Sequence, residues 1–459
     1  MSDQPVHETW SSRRAFLLAA IGAAVGLGNI WRFPYLAGES GGAAFVLVYL
    51  LCVAVIGVPV LLTELSLGRR GGLSPVGTMG GLAAEEGRSR HWRKAGWAQV
   101  ITIFLAGSFY YVVASWVLAY VLLAAEGAFN GIDRPAAATM FDSLMASPWR
   151  MALWYGFFIG LTVAVVASGI RHGLERAVKL MMPALFVLLV VLVGYAAWVG
   201  DFAAGAGFLF RFDASKVTGG VVLAAMGQAF FTLGVGQAVM ITYGAYIPKN
   251  INLISASAII ALADLAVALL AALVIFPLVF ANGMAPDAGP SLVFKTLPIV
   301  FGAMPAGGLF GTLFFLLIAI AALTSTISGV EPIVSWAEEH KGWRRPVVAT
   351  VAGLALWLVG LASVFSFNLL ADFHPLGFVP GFGQATVFNL LEYASVNLLM
   401  PLNALLLTIF AGWLMARKSL LGALEIGDGR GFRLLYPVIR YIVPLAIMAI
   451  FIANILPAG

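Results

Sequence analysis

The residues able to do chemistry in this chain sit where polar groups are costly. Within the run Gly22-Ala23-Ala24-Val25-Gly26-Leu27-Gly28-Asn29-Ile30-Trp31-Arg32-Phe33-Pro34-Tyr35, three glycines, an Asn and an Arg interrupt a long apolar stretch, and a proline follows. Glycine weakens helix and proline removes a backbone donor. In a bilayer an unpaired backbone group costs several kcal/mol, so broken helix survives only where it lines a cavity. The freed carbonyls, with nearby Asn, Thr, Ser and Asp oxygens, suit a dehydrated hard cation. The freed N–H groups at Leu27 and Gly28, at a helix N-terminus, suit a carboxylate. Asp264 lies mid-span, where a carboxylate costs about 2.5–3.5 kcal/mol on insertion scales. A cation is its simplest compensation. The chemistry is thus binding. His91, His172, His340 and His374 fall in loops, no nucleophile–base set occurs within the apolar runs, and there is no phosphate-binding loop, so neither an intramembrane enzyme nor a pump driven directly by ATP is expected.

The elements that must position these groups are membrane helices. The chain has 459 residues, 61% hydrophobic and 10% charged, where a soluble domain would carry about 25% charge. Apolar runs of twenty or more residues recur, which predicts an all-α polytopic membrane protein. Eleven spans are expected at roughly 13–36, 41–67, 95–124, 149–168, 175–199, 217–246, 252–280, 307–338, 345–368, 385–416 and 433–456, with 286–304 as a hairpin dipping between the seventh and eighth. No signal peptide is read at the N-terminus. Cys52 is the only cysteine, so no disulfide forms within the chain. The net charge of +5 reflects loop topology and points to no nucleic-acid partner. Of the 26 Lys and Arg residues, twenty fall on the side of the N-terminus, five on the other, and Arg32 lies within the first span. The positive-inside rule then puts the N-terminus in the cytoplasm and, with eleven spans, the C-terminus outside. Short loops and the absence of glycosylation sequons favour a bacterial inner-membrane protein.

A second interruption, Gly227-Gln228-Ala229-Phe230-Phe231-Thr232-Leu233-Gly234-Val235-Gly236-Gln237, falls in span six. Two broken helices five spans apart predict a 5+5 inverted repeat with its site at the midplane. Residues 13–199 form the first repeat, 217–416 the second, 433–456 an added span and 1–12 a cytoplasmic tail. Glycines that only let helices pack closely are the competing explanation.

The run Gly26 to Tyr35 resembles the first-helix signature of the neurotransmitter:sodium symporters. Gly227 to Leu233 resembles their sixth-helix signature, and Ala322-Leu323-Thr324-Ser325 their eighth. The resemblance implies a leucine-transporter fold and sodium-coupled symport of an amino acid by alternating access, with two sodium ions. It implies a first ion site from the carbonyl of Ala24 with Asn29, Thr232, Asp264 and the substrate carboxylate. A second would use the carbonyls of Gly22, Val25 and Ala321 with the hydroxyls of Thr324 and Ser325. Taken singly, Thr324 and Ser325 could also bond back within their own helix, and Asn29 could be an interhelical hydrogen bond. Chloride-dependent relatives carry a neutral residue at the position of Asp264, while Tyr49, Gln228 and Thr232 match their chloride surroundings. The Asp264 charge is expected to make chloride unnecessary.

By the same resemblance the substrate site comprises Ala24, Gly26, Leu27, Gly28, Ala106, Tyr110, Phe231, Thr232, Gly234, Gln237, Ser325 and Gly329. Gly26 stands where monoamine transporters carry an acid, which favours an amino acid. Ala106, Gly234 and Gly329 are small, which favours a bulky neutral hydrophobic or aromatic L-amino acid. Gln237 stands where relatives place an apolar residue and wants hydrogen-bond partners, from the substrate or from unwound backbone. Arg32 and Glu392 would form an outer gate. Trp10, Tyr246 and Glu339 match an inner latch whose usual Arg is replaced by His7, predicting a weaker, pH-sensitive closure. A sodium-independent or proton-coupled exchanger of related fold, and an amino-acid sensor without turnover, are the competing functions. The oligomeric state is open.

Overall fold

Thirteen helical segments carry the architecture of the computed structural model, which describes residues 8–286, 292–425 and 428–455. They are α1 (Arg13–Ala24), α2 (Gly28–Glu39), α3 (Ala43–Gly71), α4 (Arg90–Ala125), α5 (Pro148–Ala167), α6 (Ile170–Val199), α7 (Gly219–Thr232), α8 (Val239–Ala245), α9 (Leu253–Ala281), α10 (Gly307–Lys341), α11 (Arg345–Phe365), α12 (Val387–Leu414) and α13 (Arg430–Ala453). Nine of the described helices are long and apolar enough to cross a bilayer. The α1–α2 pair qualifies as one further span, bent by 50°. The sixth predicted span is divided between α7 and α8. In place of the hairpin expected at 286–304, the described part holds a short helix, Thr296–Ala303, and residues 287–291 lie outside the described residues.

Burial sorts these helices. In the most apolar window of α4, 72% is buried within the protein, and in that of α10, 67%; for α13 the figure is 28%. The pair α4 and α10 therefore forms the middle, packed together along their lengths, with α1, α6 and α11 against α10. On α5 and α6, Leu153 and Leu180 are 74% and 75% exposed, an apolar surface suited to acyl chains.

Each break has a local cause. Ser12 caps α1 by accepting the Ala15 N–H at 3.2 Å. At the other end Val25 turns extended, with ψ of 111°, and the chain re-enters helix at Gly28. Between α7 and α8 the backbone takes left-handed values at Gly234, Gly236 and Ala238. Gly236 has φ of 78°, and a Cβ there would lie 2.4 Å from the Met400 carbonyl oxygen. Only glycine meets both conditions.

Candidate functional site

The first break is held open by side chains from elsewhere. The Gly26 N–H donates to Asn29 Oδ1 at 3.0 Å, and the Leu27 N–H to the Tyr110 hydroxyl of α4 at 3.1 Å. The Gly28 carbonyl accepts from Gln228 Nε2 of α7 at 2.8 Å. The two interrupted helices are thus tied at their breaks.

One cavity lies against both. Ala24, Gly26, Gly28, Ala106, Tyr110, Phe231, Thr232, Gly234, Gln237, Ser325 and Gly329 all line it. Leu27 presents its N–H to Tyr110 and its side chain to a neighbouring vestibule. No Asp, Glu, Lys or Arg is among the lining residues. A Cβ on Gly26 would lie 2.7 Å from both the Ser325 hydroxyl and the Tyr110 hydroxyl. Gly26→Ala is therefore expected to weaken ligand binding by about 1–3 kcal/mol, the range for overpacking. Ligand-induced thermal stabilisation measures this; an unchanged shift would remove Gly26 from the site.

Two oxygen clusters flank the cavity. In the first, the buried Asp264 carboxylate accepts from Asn29 Nδ2 at 2.7 Å and from the Thr232 hydroxyl at 2.9 Å. Both partners are neutral, and Asn29 also donates to Thr232 at 2.9 Å. Sequence positions 29, 232 and 264 thus converge from α2, α7 and α9. In the second, the Ser325 hydroxyl lies 3.1 Å from the Val25 and Ala321 carbonyl oxygens and 3.4 Å from that of Gly22. The Thr324 hydroxyl lies 3.0 Å from the Ala321 carbonyl. The hydroxyls do bond back within α10, yet Ser325 also spans the gap to the first break, as a site shared between the two would require.

Above the cavity stands Phe231, which also lines the vestibule bounded by Trp31, Arg32, Phe294 and Glu392. Arg32 and Glu392 share this space of 470 Å³, but the guanidinium bonds elsewhere. It donates to Gln228 Oε1 at 3.0 Å and lies 4.8 Å from the Phe231 ring centroid.

The face bearing the N-terminal strap is closed. Trp10 is 2% exposed; its indole N–H donates to the Tyr243 carbonyl at 3.2 Å and its backbone N–H to the Tyr246 carbonyl at 3.0 Å. The Tyr246 hydroxyl donates to Glu331 at 2.9 Å, and Glu331 is paired with Arg345. Glu339 accepts from the backbone N–H and the hydroxyl of Ser74. His7 lies outside the described residues.

Two buried polar arrangements lie beyond the residues expected from the sequence, one around Gly236 and one between Glu331 and Arg345. Glu64 is fully buried in α3 and accepts the Gly236 N–H at 2.7 Å. Asn403 of α12 donates to the Gly236 carbonyl at 2.9 Å, so both polar groups of this left-handed glycine are held. Glu331 with Arg345 forms the second arrangement. Glu64 and Glu331 carry the signal that singles out Asp264, an acid inside an apolar run.

Helices that cross a bilayer, two of them broken around a shared cavity with oxygen clusters beside it, define a secondary transporter. The family described as the sodium:neurotransmitter symporter family matches residues 7–129 and 141–457. YhdH, an uncharacterized sodium-dependent transporter of Bacillus subtilis, is 37% identical over 456 residues, 98% of each chain. An uncharacterized sodium-dependent transporter of Haemophilus influenzae is 33% identical over 456 residues, again 98% of each. The crystal structure of MhsT in complex with L-phenylalanine matches with a TM-score of 0.88 at 37% identity, covering 98% of this chain and 100% of that one. The chain belongs to the sodium:neurotransmitter symporter family. It is a sodium-coupled, multi-pass membrane carrier.

Proposed function

We propose that the chain carries a neutral, bulky hydrophobic or aromatic L-amino acid into the cell together with sodium. The observation that carries this reading is the uncharged cavity against the Gly26–Gly28 break, in which backbone N–H groups and the Tyr110 hydroxyl meet small residues at positions 106, 234 and 329. The similarity to a carrier solved with L-phenylalanine supports it. The amino acid's carboxylate binds at the break, where helix N-terminal dipole and Tyr110 meet it. Its side chain fills the space beside Phe231.

Two sodium ions are co-substrates. One is held by the Ala24 carbonyl, Asn29, Thr232, Asp264 and the substrate carboxylate, the other by the carbonyls of Gly22, Val25 and Ala321 with Thr324 and Ser325. Asp264 supplies the charge that chloride supplies in relatives, so chloride is not required. Eleven spans, with 13–199 and 217–416 as inverted repeats and 433–456 added, place the N-terminus inside and the C-terminus outside a bacterial plasma membrane. Arg32 and Glu392 draw together to occlude the outer vestibule. Trp10, Tyr246 and Glu339, with His7, release to open the inner one.

The test is thermal stabilisation of the purified protein by each of the twenty amino acids, in sodium and in potassium. An aromatic ligand at a hundredfold excess over its Kd should stabilise by about 2.7 kcal/mol in sodium and not in potassium. Equal stabilisation in both salts would point to a sodium-independent exchanger. Sodium-linked binding without accumulation in vesicles under a sodium gradient would point to a sensor.

A further inference from the structure

We propose that Gln237 makes this cavity select an aromatic amino acid with a hydrogen-bond donor at its far end, tyrosine or tryptophan, over phenylalanine. The inference rests on the cavity being the amino-acid site.

Two glutamines of the second broken helix differ in what they do. Gln228 uses both ends of its carboxamide: Oε1 accepts from Arg32 at 3.0 Å and Nε2 donates to the Gly28 carbonyl at 2.8 Å. It is a structural tie. Gln237 is only half-buried although it lies deep in the protein, because it faces the cavity. Among the described residues its one hydrogen bond is from Nε2 to the Met400 sulfur at 3.1 Å. A thioether is a weak acceptor, and the carboxamide oxygen retains both lone pairs.

The surroundings narrow what that oxygen can meet. Ile103, Phe104, Ile333 and Leu356 line the same cavity, so Gln237 offers a polar contact in an apolar, aromatic-lined space. A charged substrate side chain would be buried without a counter-charge, since no ionisable acid or base of opposite sign lines the wall. Space is available: a Cβ at Gly234 would meet nothing within 4 Å, and one at Gly329 only Ile103 at 3.4 Å. A phenol or an indole fills such room with its ring and ends in an O–H or N–H for the carboxamide oxygen. Phenylalanine fills less of it and leaves that acceptor unpaired. A site built to hydrogen-bond a substrate rejects the analogue lacking the donor.

The experiment compares affinities in sodium, by ligand-dependent thermal shift on the full chain, within two isosteric pairs. L-tyrosine is set against 4-methyl-L-phenylalanine, and L-tryptophan against 3-benzothienyl-L-alanine, which lacks the indole N–H. The wild-type protein should prefer the donor-bearing member of each pair by about tenfold, the value of one net buried hydrogen bond. In Gln237→Met both ratios should fall to near one. Ratios within twofold in the wild-type protein overturn the inference, and this arm needs no variant to fold. Ratios unchanged by Gln237→Met overturn it as well. Binding of phenylalanine itself in these outcomes shows that the amino-acid site stands; binding of no amino acid in sodium would remove that reading and the inference with it.

Discussion

Asp264→Asn is expected to weaken sodium activation of uptake by two to three orders of magnitude in chloride-free buffer, and chloride should restore part of it. The carboxylate is fully buried and its hydrogen bonds come from the neutral groups of Asn29 and Thr232. These donors orient the carboxylate without neutralising it. In the proposed first ion site a sodium ion is the positive partner of this carboxylate, and removing one member of a buried ion pair costs about 3–5 kcal/mol. The amide keeps the shape and one acceptor oxygen, so folding should survive and the loss should appear in the sodium concentration for half-maximal uptake. Chloride entering beside Tyr49, Gln228 and Thr232 would return the lost negative charge. Uptake into proteoliposomes over a sodium series, with chloride or gluconate, decides the matter. A chloride-requiring wild type, or an Asp264→Asn carrier that is fully active in gluconate, would overturn the assignment.

Arg345→Met should be the most disruptive single change on the closed face. Glu331 has no exposed side-chain surface, and Arg345 only 11%. Arg345 also donates to the Val166 carbonyl at 2.8 Å and pairs with Glu338 at 3.3 Å. Its loss strands the Glu331 charge, at about 3–5 kcal/mol. The Tyr246 hydroxyl rests on that carboxylate, and the Tyr246 carbonyl receives the Trp10 backbone. The strap should therefore loosen as stability falls. The melting temperature should drop, and a cysteine at Ser335, in a Cys52→Ser background, should react faster with a thiol reagent. Removing both charges with Glu331→Gln and Arg345→Met should recover most of the melting temperature, because a buried pair costs little to remove whole. A single variant with wild-type melting and labelling would show that the pair does not hold this face.

What the sequence makes legible is chemistry that is costly in place. Asp264, Asn29 and the paired breaks announce themselves because lipid tolerates neither charge nor unbonded backbone, and the structure brings positions 29, 232 and 264 within hydrogen-bond reach. Thr324 and Ser325 are ordinary as single residues and become informative only through the motif that holds them. Partner choice is far less legible. Glu64 stands out by the same cost argument, but its partner lies 172 residues away at a glycine whose left-handed turn no local pattern specifies. Arg32 shows the same limit: a vestibule residue can reach several acceptors, and here packing against α7 gives it Gln228 while Glu392 stands across the cavity.

That placement of Arg32 bears on the salinity the carrier can work in. An exposed Arg–Glu pair weakens as ionic strength rises, since the Debye length shrinks from about 10 Å at 0.1 M to about 3 Å at 1 M. Here the guanidinium is held by an uncharged amide at 3.0 Å and by the Phe231 ring, 4.8 Å to its centroid, rather than by a direct ion pair, so its placement depends less on ionic strength than an Arg–Glu pair would. Brine should therefore leave this resting placement of Arg32 largely unchanged and act instead on the proposed closing step, in which Arg32 and Glu392 come together as an ion pair.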